Sequence, residues 1–312
     1  MKTQRLYEQD AYCREFTARV LSCDPTERGY AAVLDATAFF PEGGGQAADT
    51  GALGGVAVRD VQRLGDTVVH TVAAPLPVGE TVTGTIDWEQ RFARMQKHTG
   101  EHIVSGLMAR LYGLHNVGFH LGGEDVTLDL DGELTRQQLD EIETLANRAV
   151  WEDHPVRAWF PTPQEQEALE YRSKKAVDGP LRIVEIEGVD RCACCAPHVA
   201  HTGEIGVIRL LDFLRYKGGV RIHMQCGLDA LLVSRMHFHE VTAAAARLSV
   251  KPTELTGAVE RLLAQRDDLS RRLRQERAQA AVLLARNAPA EEVSPLFFPG
   301  EPDNAAMRQV LE

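Results

Sequence analysis

The hydrophobic period of the chain changes at Asp87, and that change limits the fold more than any other feature. Ahead of it, runs such as TVVHTV (67–72) and ETVTGTID (80–87) alternate and are rich in β-branched residues. Gly and Pro turns such as PLPVGE separate them, the pattern of short paired strands. Residues 1–86 therefore predict a small β-barrel-like subdomain or a curled sheet. After it, Trp88, Phe92, Met95, Ile103, Leu107 and Leu111 recur at helical spacing, with Asp87 as cap and Gly113 as stop. DVTLDLD, LRIVEIEG and IGVIRLLDF then read as strands and TRQQLDEIETLANRAVWE as an amphipathic helix, so residues 87–230 form an α+β domain. From 231 to 288 the sequence is helical and highly charged. Leu255, Leu262 and Leu269 recur by seven, but the heptad is short and imperfect, which favours a helical arm or hairpin over a long coiled coil. Residues 289–312 begin a further apolar element, either a small docked segment or the start of a truncated one.

The formal net charge of -11 gives no bulk attraction to nucleic acid, so a polyanionic partner would need local basic clusters. One comprises Arg172, Lys174 and Lys175; the other, in RYKGGVR, comprises Arg215, Lys217 and Arg221 around a Gly-Gly turn. Composition alone would make both ordinary solvated surface. No apolar run has the length of a membrane span and the N-terminus lacks a signal-peptide core, so the expectation is a cytoplasmic protein with no membrane partner. In that setting the six cysteines are free thiols or metal ligands rather than disulfides.

Two segments carry ligand chemistry. HTGEH places His98 and His102 four apart in the predicted helix, so both imidazoles leave one face. CCAPH offers Cys194 and His198 at the same spacing, but Pro197 argues for a loop there. Together they supply the four ligands of a tetrahedral zinc ion, with Cys192, Cys195 and His201 as rivals by composition. If the backbone is extended, Cys192 shares the face of Cys194, while Cys195 points into the packing beneath the loop. HTGEH also fits the inverted zinc-peptidase pattern, in which Glu101 would be a general base. A closed zinc that only staples the fold of a non-catalytic binding module is a third reading.

A glycine loop separates these readings. In TAFFPEGGGQAADTG, Gly43, Gly44 and Gly45 permit close backbone approach to a ligand, Gln46 adds an amide and Thr37 a hydroxyl. A peptidase needs none of this, and no Gly-Lys-Ser/Thr follows to make a Walker loop. FFPEGGGQAADTG, HTGEHI, CACCAPHVAHTGEIG and YKGGVRI, in this order, resemble the AlaX family of alanyl-tRNA editing proteins, long form. These are relatives of the editing domain of alanyl-tRNA synthetase. The resemblance covers roughly residues 5–235, and the charged helix beyond resembles the extension of the longer members.

It implies an N-terminal β-barrel-like subdomain followed by the α+β second additional domain of threonyl- and alanyl-tRNA synthetases. It implies one zinc ion per chain, on His98, His102, Cys194 and His198. The implied reaction is hydrolysis of tRNA(Ala) mischarged with serine, and in the longer forms glycine. The synthetase loop reads C-G-G-T-H where this chain has Cys195-Ala196-Pro197 between Cys194 and His198, so ligand spacing is kept while backbone contacts of those glycines are not. Too few residues precede the barrel to hold an ATP-activating domain, which implies editing in trans rather than ligation. On this reading Gln46 and the Gly43–Gly45 backbone orient the ester and Thr37 rewards serine's hydroxyl. Arg215, Lys217 and Arg221 contact phosphates, and the helical arm reaches the tRNA or forms a homodimer.

Overall fold

A computed structural model describes residues 2–122, 126–173 and 180–287. Lys174, Lys175 and the segment 289–312 lie outside the described residues. The chain divides into compact units of residues 1–234 and 235–312.

The first unit opens with β1 (Gln4–Arg5), β2 (Glu15–Thr26), β3 (Gly29–Leu34), β4 (Ala36–Thr37), β5 (Gly51–Leu53), β6 (Val56–Leu64), β7 (Thr67–Val72) and β8 (Thr81–Ile86). Strands pair in the order β2-β3-β7-β6-β5-β8, and β8 returns to β2, so the ring closes. Alternation explains the closure. In β7 and β8 every second residue is buried, and Val20, Leu34, Val61, Val68 and Val72 fill the interior. His70 is a polar exception, fully buried among these apolar side chains.

α1 (Trp88–Tyr112) follows at the predicted switch. The Asp87 side chain accepts from Gln90 N, and Gly113 closes the helix in the left-handed conformation. Then come β9 (Asn116–Leu121), β10 (Val126–Leu130), α2 (Arg136–Trp151), β11 (Val156–Trp159), α3 (Pro163–Ala168), β12 (Ile183–Ile186), β13 (Asp190–Ala193), β14 (Ile208–Tyr216) and β15 (Gly219–Cys226). Two sheets form, β14-β15-β10-β9 and β11-β12-β13. Met95, Ile103, Val104 and Met108 of α1 and Leu139 and Ile142 of α2 share one core with Leu128, Ile208, Ile222 and Met224. The apolar stripe of α1 is shorter than the sequence pattern, since Leu111 is exposed. Gly100 lets β15 approach: a Cβ there would lie 2.5 Å from Cys226 Sγ.

The barrel and α1 are locked by a buried ion pair. Arg91 bonds to Asp49 through Nε at 2.9 Å and through Nη2, and also donates to Ala11 O and Ala38 O. Asp49 in turn accepts from Phe40 N at 2.6 Å. A desolvated pair anchored this way through Asp49 Oδ2 and the backbone fixes geometry more than it adds stability.

α4 (Gly227–Arg247) follows β15. The second unit, by itself, is helical over its described residues and carries the 32-residue α5 (Leu255–Arg286). Leu262, Leu269, Leu273 and Leu283 of α5 are exposed. No helix among the described residues is long and apolar enough to cross a membrane.

Candidate metal centre

His98 and His102 project from one face of α1, both 1% exposed. Cys194 and His198 sit in the loop after β13, where Pro197 prevents a helix. These two segments meet: the four ligand atoms lie within 4.8 Å of one another. Cys194 Sγ is 3.5 Å from His98 Nε2 and 3.3 Å from His198 Nε2. Zinc bonds of about 2.05 Å to nitrogen and 2.3 Å to sulfur, arranged tetrahedrally, require N···S edges of about 3.6 Å. The observed separations fit with little movement.

The hydrogen bonds behind the rings fix the tautomers. His98 Nδ1 lies 2.8 Å from Gln46 Oε1, His102 Nδ1 3.1 Å from Asp190 Oδ2, and His198 Nδ1 3.0 Å from Thr99 Oγ1. An amide oxygen and an ionised carboxylate only accept. The Thr99 hydroxyl donates its proton to Met95 O at 2.8 Å, so it too accepts from the ring. All three Nδ1 atoms therefore carry the proton, and the three Nε2 lone pairs are left for a metal. The donor set and its supports fit a zinc ion. Burial pushes the Cys194 thiol up to about 12, so a metal must displace its proton on binding.

A second group, His102, Asp190 and Cys192, also clusters. It reads as support for the first. Arg172 donates to both Asp190 oxygens, at 2.7 and 2.8 Å, and His102 shares Oδ2. Burial would raise the Asp190 pKa, but hydrogen bonds from His102 and Arg172 outweigh it and hold the carboxyl below its usual range. Cys192 is buried on β13 opposite Val184 and is not in the quartet. Cys195 departs from expectation: it is exposed rather than packed beneath the loop. Once β13 ends at Ala193 the strand alternation lapses, and Ala196 fills the space under the loop with Tyr7 and Phe40.

The glycine loop reaches the same place. Gly43 and Gln46 exchange backbone hydrogen bonds at 3.0 Å around Gly44 and Gly45, whose φ angles are 61° and 84°. A Cβ on Gly45 would lie 2.3 Å from Phe119 O, so only glycine fits against β9. Gly45 O accepts from Leu121 N at 2.6 Å and Ala47 N donates to Leu121 O. Gln46 is thereby held under His98, 1% exposed, with its Nε2 buried and unpartnered.

A cavity of about 1060 Å³ opens beside the quartet, lined by His98, His102, Cys194, Gly44, Gly45 and Phe119 among others. Gly43, Gln46, His198 and Thr37 do not line it. Thr37 is fully buried at the barrel: its hydroxyl lies 2.8 Å from His70 Nε2 and accepts from Phe39 N. Glu101 does not line it either. Its Oε1 accepts from Ser105 at 2.5 Å and from Asn116 at 2.6 Å within the core.

Arg215, Lys217 and Arg221 of the basic hairpin do not line the cavity. Lys217 and Gly218 form the β14–β15 turn, with φ of 47° and 86°. Arg221 is paired with Asp129 at 2.6 and 2.8 Å and stacks on Tyr216. Arg215, highly exposed, faces Glu133 at 3.4 Å.

Sequence reasoning did not single out Thr99, Asp190 or Arg172 as supports of the site. Two signals were present: Thr99 lies inside HTGEH, and Asp190 shares a strand face with Cys192.

Comparison with known proteins agrees with the geometry. The threonyl and alanyl tRNA synthetase second additional domain matches residues 181–223, which include Cys194 and His198. The class II (A) tRNA synthetase family matches residues 14–90. The alanine–tRNA ligase of Ignicoccus hospitalis is 34% identical over 83% of this chain and 30% of its own length. The alanyl-tRNA editing proteins Aarsd1-A of Xenopus laevis and Aarsd1 of Mus musculus are 37% and 34% identical, over 65% and 66% of this chain. The chain spans about half the length of those editing proteins, 53% and 54%, and about a third of the ligase. By these matches the chain is related in sequence to the alanyl-tRNA editing proteins and to the alanine–tRNA ligases.

Proposed function

We propose that this protein hydrolyses the ester of tRNA(Ala) mischarged with serine, and with glycine, acting in trans. One zinc ion per chain would be held by His98, His102, Cys194 and His198. The observation that carries this reading is the convergence of three tautomerically fixed imidazoles and a thiol beside a cavity of about 1060 Å³, whose wall includes His98, His102 and Cys194. A cavity of that size admits a terminal nucleoside with its aminoacyl group. The editing relatives support the substrate class.

When bound, zinc supplies Lewis acidity toward water or the ester carbonyl. The rest falls to the chain. Gln46, Thr99 and Asp190 orient the ligand rings, and Gly44, Gly45 and Phe119 form the wall against which the ester lies. Gln46 and Thr37 act from behind this wall, Gln46 through His98 and Thr37 through the segment leading into the glycine loop. Arg215 and Lys217, and Arg221 after exchange of Asp129, are the proposed phosphate contacts. The exposed leucines of α5 are the proposed homodimer surface, in a cytoplasmic protein. A metallopeptidase would need Glu101 in the cavity, whereas Ser105 and Asn116 engage its Oε1 in the core.

The test is deacylation of Ser-, Gly- and Ala-tRNA(Ala) by the purified zinc-loaded protein. Serine and glycine should be released and alanine largely retained. Equal hydrolysis of all three would remove the selectivity, and no hydrolysis would leave only a binding module. Alanine-dependent ATP–pyrophosphate exchange should be absent; detecting it would show a ligase.

A further inference from the structure

The cavity has a charged feature that the metal quartet does not explain. Arg182 lines it from the segment just before β12 and is only 6% exposed. Its Nη1 donates to Cys194 O at 3.1 Å and to Ala196 O at 2.9 Å. Its Nε is buried without a hydrogen-bond partner. Among the described residues, no ion pair joins this guanidinium to a carboxylate. Glu8, on the same cavity wall, is held by Arg5 at 3.0 Å. The other buried arginines of this unit behave differently. Arg91 meets Asp49, and Arg172, largely buried, meets Asp190. A buried cation on a cavity wall, whose hydrogen bonds go to carbonyls and whose Nε has none, is arranged for an anion that arrives with a ligand.

Resting on the function proposed above, we propose that Arg182 is the receptor for the phosphate attached to the 5′ oxygen of the substrate's terminal nucleoside. The scissile ester sits on the ribose of that nucleoside, and its 5′-phosphate is only a few bonds away. Arg182 bonds the carbonyl of the metal-binding Cys194, so an ester placed at the quartet brings this phosphate to the guanidinium. Arginine meets phosphate through a planar fork of parallel N–H donors, which fixes orientation as well as position. Arg182 thus sets the register of the ester along the cavity, independently of which amino acid it carries. Lys2, Arg5 and Arg63 line the same cavity together with Glu8, Asp35 and Asp66, so the specific recognition falls to Arg182 rather than to the bulk charge of the wall.

Calorimetric titration of the zinc-loaded protein with adenosine 5′-monophosphate, adenosine and free serine tests this without turnover. The monophosphate should bind more tightly than adenosine by on the order of tenfold or more, as expected for a charge-assisted hydrogen bond. In Arg182→Gln, with zinc content and near-ultraviolet circular dichroism unchanged, the two affinities should converge. If that variant does not fold, Arg182→Lys, which keeps the charge but not the fork, should still narrow the gap. Equal affinities in the unmodified protein, or a gap that survives the substitution, would overturn the assignment. So would an Arg182 dependence seen for serine alone, which would assign the site to the carboxylate of the released amino acid. Failure of Ser-tRNA(Ala) hydrolysis in the unmodified protein would instead strike the function and leave this comparison standing.

Discussion

His70 makes the barrel sensitive to acid, in an amount the structure allows to be worked out. The ring is fully buried; Nδ1 lies 3.2 Å from Ala32 O and Nε2 2.8 Å from the Thr37 hydroxyl. A backbone carbonyl only accepts, so Nδ1 carries the proton and neutral Nε2 accepts from Thr37. Protonation at Nε2 would desolvate a charge and break that bond. Burial accordingly lowers the pKa from 6.5 to about 4, against a smaller raising effect of the Ala32 bond. Between those values the unfolded chain binds the proton and the folded chain does not, so stability falls as pH falls. The full loss, reached below pH 4, is about 3 kcal/mol, and about 2 kcal/mol has gone by pH 5. For a unit of this size that is a decrease of roughly 5 °C in Tm. The assay is Tm from pH 7.5 to 4.5 for the unmodified protein and for His70→Gln, which keeps a partner for Thr37 but does not titrate. The variant should be less stable at neutral pH and lose less on acidification, so the two curves converge. Parallel curves, or an ordinary titration of the His70 ring near 6.5 by NMR, would refute the reasoning.

Cys194→Ser should lose most zinc and most deacylation, while Cys192→Ser and Cys195→Ser keep both; zinc content of the three folded variants checks it, and loss in Cys192→Ser alone would reassign the ligand. Asp49→Asn leaves Arg91 buried without its counter-charge and should cost about 3–5 kcal/mol, read by denaturant unfolding. Gly45→Ala forces a left-handed backbone on alanine and drives its Cβ into Phe119 O, so it should cost more than the ~1–2 kcal/mol of the dihedral alone and weaken zinc retention with it.

Element types were legible where the hydrophobic period was strong. Alternation in 67–72 and 80–87 became β7 and β8, and the stripe from Trp88 became α1 with the expected caps. Spacing also paired His98 with His102 and Cys194 with His198, because i and i+4 on a helix and a proline-broken loop are local facts. Long-range facts were not legible. The Asp190–His102 bond spans 88 residues and the Gln46–His98 bond 52, and neither leaves a period in the sequence. Cys195 was misplaced because strand alternation was extended past the end of β13. Thr37 looked like a pocket hydroxyl until a histidine 33 residues away proved to be its partner.

The barrel is a structural part of the candidate metal centre rather than an appendage to it. Three of the quartet's supports come from the α+β portion: Thr99 from α1, Asp190 from β13 and, behind Asp190, Arg172. The fourth, Gln46, comes from the loop between β4 and β5, and it fixes the tautomer of His98. Gln46 can do so only if the loop is held in register with α1 and β9. The Arg91–Asp49 pair sets the first of these, and the close fit of Gly45 on Phe119 O with the Leu121 hydrogen bonds sets the second. A shift of one residue anywhere between Phe40 and Asp49 would turn Gln46 away from His98 and break the bond from Phe40 N to Asp49. The run of three glycines is thus explained by packing as much as by substrate. Gly44 and Gly45 face the cavity because the chain must turn there, at positive φ, for the next residue to reach His98 from behind.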